Sequence, residues 1–406
     1  MTCIAYLANL FPASVEPYVI DEIQELRRRG ITVLPCSARK PKSGLSPDLL
    51  RWREQTLYLQ TLSLEDIVRA TRLFVARYSD LLPLFERMAC RGRETLFQRF
   101  KALSHVWLGV VYAGLLCDRG VDHIHVHHGY FSAWIALVAA RLLGITWSMT
   151  LHGSDLLVGA PFLDVKLKHC NTCYTVSQYN LDYICRHFPE LSARKLVLRR
   201  LGVDVCAPPD RSSEPKKRNG DVFTLLSVGR LHPVKDYTFL IWACVELKRQ
   251  AMNVVCLIAG EGPERRRLQS MITHLGLKND VRLLGAVPHN EIERLYQRAD
   301  LVVLTSRSEG IPLSLMEAMA QGVIVLAPAI TGISELVIAG RTGFLYRPGS
   351  IDDFVSKVEF VSRAGSALEL IREAARRHIA ANFNKDVNVK HFTDALLSRP
   401  DCRSAA

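Results

Sequence analysis

Short β-branched runs alternate with amphipathic stretches along the whole chain, a rhythm that restricts it to parallel sheets covered by helices on both faces. The rhythm is played twice. In the first half the strand-like runs are Thr2–Leu7, Ile31–Cys36, Ile124–Val126, Thr146–Thr150 and Cys173–Val176. Helical stretches separate them, such as Pro17–Arg29, stopped by Gly30, and Tyr130–Leu143, stopped by Gly144. From Pro208 to Gly220 the composition turns to Pro, Ser and charge, which marks a linker. A second series follows, with strands at Phe223–Val228, Val254–Ala259, Val281–Leu284, Leu301–Thr305 and Val323–Ala327. The expected class is α/β, with two doubly wound Rossmann-like domains facing each other across a cleft. Residues 1–207 form the first, carrying a basic helical insert over about 49–101; 208–220 link it to the second, 221–384. A last helix within 385–406 is expected to pack back on the first domain. Ligands are expected in the cleft, at the carboxyl ends of the strands.

A length of 406 residues is ample for two cores. No apolar run approaches the ~20 residues that span a bilayer. The longest, Val106–Cys117, lies between His105 and Asp118 and reads as a buried helix. The first ten residues lack a basic region before their apolar stretch and read as a first strand rather than a signal peptide. Eleven cysteines, an odd number without framework spacing, argue against a disulfide scaffold and for a reducing cytoplasm. Cys170-Asn-Thr-Cys173 has no second pair and reads as structural burial. The net charge is +12, and residues 1–200 hold 25 Lys and Arg against 17 Asp and Glu. That basic half fits either a solvated surface or the anionic inner face of the cytoplasmic membrane, where the chain would sit peripherally. A nucleic-acid partner is not expected, because no helix-turn-helix, RNA-binding or zinc-finger signature is present.

The chemistry concentrates in the second series. Glu309-Gly-Ile-Pro-Leu-Ser-Leu-Met-Glu317 sets two carboxylates eight positions apart across a loop-to-helix junction that Pro312 opens. Such a junction offers free backbone N–H groups, the positive end of a helix dipole and acceptors for hydroxyls. A ligand carrying both a diphosphate and sugar hydroxyls matches it. Ahead of it, Gly229-Arg230-Leu-His-Pro-Val-Lys235-Asp236 follows a strand directly. Gly229 permits close backbone approach, and Arg230 and Lys235 supply two cations at a strand's carboxyl end. Gly260-Glu-Gly-Pro263 is weaker, since its glycines can serve a turn alone. Gly285-Ala-Val287-Pro-His-Asn290 can read a nucleobase through backbone groups, and Ala329-Ile-Thr-Gly-Ile-Ser-Glu335 closes the set. Five successive loops converge on one edge.

The order Gly-Arg-Leu-x-x-x-Lys, Gly-x-Gly-Pro, Ser-x-Glu-Gly-x-Pro-Leu-x-x-x-Glu-Ala-Met-Ala-x-Gly, Gly-x-x-Glu and Gly-x-Thr-Gly-Phe, over residues 222–347, resembles the retaining glycosyltransferases of family 4, with the GT-B fold. In the first half Thr150-Leu-His152-Gly-Ser-Asp155 and Val176-Ser177 also match. The opening Phe11-Pro-x-Ser14-x-Glu16-x-Tyr-Val-x-x-Glu22-Ile is similar to the subgroup that builds bacterial exopolysaccharides of the colanic-acid type. The resemblance implies that Arg230 and Lys235 hold the donor diphosphate and stabilise the departing nucleotide. Glu317 would accept hydrogen bonds from ribose hydroxyls. Glu309 would contact hydroxyls of the transferred sugar beside the Gly310, Ile311, Pro312 and Leu313 backbone. His152, from the facing domain, would lie near the anomeric centre. Ser14, Glu16 and His128 are the acceptor-side candidates. The donor would be a UDP- or GDP-sugar and the acceptor a lipid-linked or saccharide molecule. No Asp-x-Asp motif occurs, and the two cations can take a divalent ion's place, so no metal or other cofactor is expected.

Departures from the pattern are Asp236 where a glycine often follows the lysine, Thr331-Gly332 in place of Gly-Gly, and Asn9–Ser14 in place of a glycine-rich first loop. His125-Val-His127-His128-Gly129 resembles a metal ligand set, but packing or acceptor contacts suit its strand-end position better. Competing readings on the same fold are an epimerase, a sugar-phosphate synthase, or a nucleotide-sugar-binding protein without activity.

Overall fold

The computed structural model describes residues 2–398, apart from 14–15, 42–46, 61, 91, 93, 158, 192 and 206–221. Its first sheet takes β1 (Cys3–Leu10), β2 (Thr32–Arg39), β3 (Leu57–Tyr58), β4 (His123–His127), β5 (Thr146–Leu151), β6 (Thr172–Thr175) and β7 (Leu196–Leu198). They lie in the order β3-β2-β1-β4-β5-β6-β7, all parallel. The second sheet takes β8 (Phe223–Val228), β9 (Val254–Ala259), β10 (Val281–Gly285), β11 (Leu301–Val303), β12 (Ile324–Pro328) and β13 (Phe344–Tyr346), in the order β10-β9-β8-β11-β12-β13. It too is parallel throughout. Strand order reverses between β1 and β4 and again between β8 and β11. At such reversals neighbouring crossovers leave to opposite faces, which opens a crevice at the strands' carboxyl ends.

The chain divides into two compact units, Met1–Arg199 with the chain from Val387 on, and Arg200–Asp386. The linker expected over 208–220 lies outside the described residues. The final helix, Lys385–Leu397, puts Phe392 against His125 and Tyr174 of the first unit, ring centroids 5.3 and 5.0 Å apart. β3, β7 and β13 had no strand pattern of their own; each has two or three residues and ends a sheet, too few to show a period of two.

The basic insert expected over 49–101 is not a separable block. Helices Pro47–Gln55, Leu64–Arg77 and Leu82–Cys90 do fill it, but the next helix runs Leu96–Leu116 straight through its boundary. Thr95 starts that helix with a capping box, accepting from Gln98 N–H while the Gln98 side chain accepts from Thr95 N–H. Ala102, Val106 and Val110 then carry it into the core; of the run expected to be buried from Val106 on, Gly109–Leu116 is buried at every residue while Trp107 is exposed.

β4 is buried at every residue although three of its five are histidines. Parallel register sets His123 beside Thr146 and His125 beside Ser148. The rings find hydroxyls there: His123 reaches Thr146 Oγ1 and Ser148 Oγ, each at 2.7 Å, and His125 reaches Ser148 Oγ at 2.8 Å and Thr150 Oγ1 at 3.2 Å. A strand of polar residues is thus hydrogen-bonded into an apolar sheet. Gly144, at φ 70°, ends Phe131–Leu143 in the left-handed conformation that a side chain resists.

Candidate active site

In the second unit the loops after β8 and β11 flank the strand-order reversal. A Cβ on Gly260, at φ +150°, would stand 1.9 Å from the Gly229 carbonyl oxygen, and one on Gly262 2.3 Å from that of Leu231. These glycines therefore do more than turn the chain. They let the loop after β9 lie backbone against backbone on the loop after β8. The Thr305 hydroxyl donates to the Lys235 carbonyl at 2.9 Å, and Arg307 N–H donates to that of Val234 at 2.8 Å, joining the β8 and β11 loops. Lys235 Nζ then meets Glu309 Oε1 at 2.5 Å, with both side chains largely shielded from solvent.

Arg230 stands apart from that pair. It is exposed, and its guanidinium has no ion-pair or hydrogen-bond partner among the described residues. An unclaimed cation beside a paired one leaves charge for an incoming anion. Asp236 resolves the first departure noted in the sequence. It adopts φ 48°, caps the helix Tyr237–Arg249 and is neutralised by Arg307 Nε at 2.7 Å. Thr331 resolves the second. It accepts φ 40° while its hydroxyl donates to the Glu309 carbonyl at 2.6 Å, and Gly332 closes on Gly310, where a Cβ would come 1.9 Å from the carbonyl oxygen.

Ile311 and Pro312 are buried, and Pro312 leads into the helix Leu313–Ala320. Glu317 lies within that helix, where the Tyr296 hydroxyl donates to it at 2.9 Å. Burial pushes the Glu317 carboxyl up, against the pull of that hydroxyl and of His289. Val287 is half-buried in the loop leading to the helix His289–Arg298, which supplies Tyr296 and His289. Glu317 thus faces the loop read as the base reader, whereas Glu309 faces Lys235.

In the first unit the candidates collect at the ends of β4 and β5. Asp155 is the organiser: it accepts backbone N–H bonds from Gly129 at 2.9 Å, His152 at 3.1 Å and Gly153 at 2.9 Å. Burial opposes its charge, but His128 and those N–H groups hold its carboxyl below the ordinary value. His128, at φ 69°, sits between two acids, with Nε2 3.1 Å from Glu16 Oε1 and Nδ1 3.7 Å from Asp155 Oδ2. Desolvation would lower its pKa; the two carboxylates overcome it and raise the imidazole to about 10. Behind them Lys166 Nζ donates to the carbonyls of Gly129 and Pro161, both at 2.7 Å, and burial lowers its amine to about 7. His152 is half-buried, stacked on Tyr18 with ring centroids 4.8 Å apart. Ser14 lies outside the described residues.

Glu22, His125 and His127 have ligand atoms within 4.8 Å of one another, close enough to suggest a metal. Their polar atoms are taken up within the protein, His125 by Ser148 and Thr150 and His127 by Glu22 and His152. A hydrogen-bonded cluster accounts for them.

Residues 210–378 match the sequence profile of the family described as glycosyl transferases group 1. The chain carries a group 1 glycosyl transferase domain. The residues described above from β8 to β13 fall in that domain, Lys235, Glu309 and Glu317 among them. A relative named as a colanic acid biosynthesis glycosyltransferase, WcaL, of Salmonella typhimurium is 33% identical over 209 residues, 50% of this chain and 51% of the relative. The amylovoran biosynthesis glycosyltransferase AmsK of Erwinia amylovora is 29% identical over 210 residues, 50% and 51% of the two chains. The chain spans about half the length of these curated relatives in the match. Among solved structures, the sucrose-phosphate synthase of Thermosynechococcus elongatus superposes with a TM-score of 0.73 at 18% identity, over 98% of this chain and 99% of that one. The group 1 domain and its partner sheet have the GT-B fold.

Some residues of this arrangement were not singled out from sequence. Tyr296, the partner of Glu317, stands seven residues past His289 with no motif to flag it. Arg307 stands two residues ahead of Glu309, but only the fold aims it at Asp236. Asp155 did carry a signal, since an Asp three residues past His152 can collect turn N–H groups.

Proposed function

We propose that this chain is a retaining, metal-independent glycosyltransferase that moves a sugar from a UDP- or GDP-sugar to a lipid-linked or saccharide acceptor, in exopolysaccharide or other cell-surface polysaccharide synthesis. The observation that carries this reading is the meeting of Lys235 and Glu309 at the β8–β11 reversal, with Arg230 unclaimed in the same loop as Lys235. Cleaving a nucleotide-sugar leaves negative charge on a diphosphate and positive charge on the sugar ring. Arg230 and Lys235 answer the first. Glu309 fixes sugar hydroxyls, and Glu317 holds the ribose. The relatives named for colanic acid and amylovoran synthesis support the polysaccharide context.

A panel of UDP- and GDP-sugars, screened for nucleotide release with cell lipid extract as acceptor, tests this. Glu309→Ala and Arg230→Ala are each expected to lower release at least about 100-fold with the active donor, as loss of a charged transition-state contact does. Full release by both variants rejects the assignment.

The acceptor side suggests a place on a membrane. No helix among the described residues is long and apolar enough to cross one. The outer face of Leu96–Leu116 nevertheless presents Leu96, Phe97, Phe100, Leu103 and Trp107, and the first three are 86, 74 and 72% exposed. Their spacing puts them on one side of the helix, opposite Ala102 and Val106. The cations Lys101 and Arg39 stand near: after burial, they help lower the His105 imidazole on the same helix to about 4. An apolar stripe with an aromatic belt and flanking cations suits an anionic lipid surface. Vesicles rich in phosphatidylglycerol should sediment the protein at low salt, more weakly at high salt. The double variant Phe97→Ser/Phe100→Ser should bind them about 10-fold or more weakly, each ring contributing about 1.5–3 kcal/mol of burial. Equal sedimentation of variant and wild type, or concentration-dependent self-association of the wild type in place of binding, removes the membrane from the proposal.

A further inference from the structure

Two buried residues of the first unit take no part in the chemistry assigned above, yet they form a row with one that does. Glu22 lies on the helix Pro17–Arg28 and His127 is the last residue of β4. Glu22 Oε2 is 3.1 Å from His127 Nε2, and His127 Nδ1 is 2.9 Å from His152 Nε2. The Tyr6 hydroxyl donates to the same Glu22 oxygen, and Tyr18 covers the His152 ring. His152 Nδ1 has no hydrogen-bond partner among the described residues.

Proton counting along the row fixes the tautomers. An ionised Glu22 can only accept, so His127 donates to it from Nε2 and keeps a lone pair at Nδ1. His152 must then donate from Nε2, which leaves its own lone pair at Nδ1. We infer that Glu22 and His127 are positioning residues that set the tautomer of His152, so that its Nδ1 accepts a hydrogen bond from a sugar hydroxyl. The inference rests on the transferase reading for the role of His152, but the row itself does not. Desolvation, with His128, His127 and His125 nearby, keeps the His152 imidazole well below its ordinary pKa and therefore neutral.

The row can also run backwards. A protonated Glu22 donates to His127 Nε2, His127 donates from Nδ1 to His152 Nε2, and His152 carries its proton at Nδ1. One proton added at the carboxyl has then changed the outer nitrogen from acceptor to donor, with the two ring protons moved and none lost. Burial raises the Glu22 carboxyl while His127 opposes it, which brings this reversal nearer to neutral pH. The titratable groups facing the row are Tyr6 from β1, His125 from β4 and His128 just after it, Glu16 and Tyr18 at the start of Pro17–Arg28, and Asp155 after β5.

Nitrogen NMR of histidine-labelled protein tests this, with the His152 signals identified by their loss in His152→Asn. The expected result for the wild type is a protonated Nε2 and a bare Nδ1, inverting as pH falls through the Glu22 titration. His127→Phe keeps a ring in place and breaks both bonds. It should abolish that preference and lower kcat about 100-fold, with donor KM within about twofold, as a wrong tautomer does when binding is untouched. Should the variant melt early, the wild-type spectra and their pH dependence still decide. A His152 tautomer that is opposite in the wild type, or unchanged in His127→Phe together with unchanged kcat, overturns the inference. Nitrogen signals that behave as expected in a protein that transfers no sugar would refute the transferase reading and leave the tautomer row standing.

Discussion

Lys235→Ala is expected to lower kcat/KM for the nucleotide-sugar by about 10³-fold, the largest catalytic effect of any single substitution in this chain. Two losses combine. On the proposed function, the departing diphosphate loses a positive charge placed where its own charge develops, which is commonly a loss of about 3–4 kcal/mol. Glu309, largely shielded and 2.5 Å from Lys235 Nζ, also loses its counter-charge. That second loss leaves the carboxylate without its ion pair and no longer fixed where, on the proposed function, it would hold sugar hydroxyls. Lys235→Arg should recover binding of the nucleoside diphosphate in calorimetry more fully than it recovers kcat. A guanidinium restores the charge, but its planar fork does not reproduce a compact ammonium between Glu309 and a phosphate. A kcat/KM for Lys235→Ala within threefold of wild type would show that the pair is a structural ion pair and that the donor lies elsewhere.

Asp155→Asn is expected to cost about 3–5 kcal/mol of stability, the range for breaking a buried charge pair by removing one partner. Asp155 is fully buried, accepts three backbone N–H bonds, and faces the His128 imidazolium. The pH dependence identifies the cause. His128 is raised from its unfolded value near 6.5 to about 10, so the stability it gains from Asp155 is complete below about pH 6.5 and is lost as pH rises to 10. Asp155 is itself depressed, so its contribution is present above its unfolded value near 3.9 and fades in acid. The gap between wild type and variant should therefore be widest at about pH 4–6.5 and close toward pH 10. Lys166 works the other way in the wild type, since a depressed amine makes stability rise over about pH 7–10.5. Wild-type melts alone will look flat for that reason, and the difference between the two proteins is the quantity to measure. A gap that stays constant across that range would mean that lost hydrogen bonds, not the ion pair, set the cost.

The central strands and the loops that follow them were legible from the residues because each carried a local physical cause. β8 and β9 had the bounds read from their apolar runs, and the loops carrying Lys235 and Glu309 and the helix carrying Glu317 lie where the sequence put them. What stayed hidden was of two kinds. Edge strands such as β3 and β13 are too short to show periodicity. Contacts such as Tyr296 with Glu317 and Glu22 with His127 join residues 21 and 105 positions apart, so that only the tertiary arrangement reveals them. The histidines of β4 belong with the second kind. Their spacing resembled a ligand set, and the facing Thr146, Ser148 and Thr150 show instead how a sheet absorbs them.

The glycine contacts have a bearing on how such a protein can diversify. Where Gly260 meets Gly229 and Gly332 meets Gly310, main chain touches main chain, and a Cβ on Gly260 or Gly332 would force the loops apart. No side-chain alphabet can retune those junctions. If these loops bind the donor as proposed, new donor preferences in mutant libraries should arise at neighbours such as Val287 and Ile330, while Gly260 and Gly332 stay fixed.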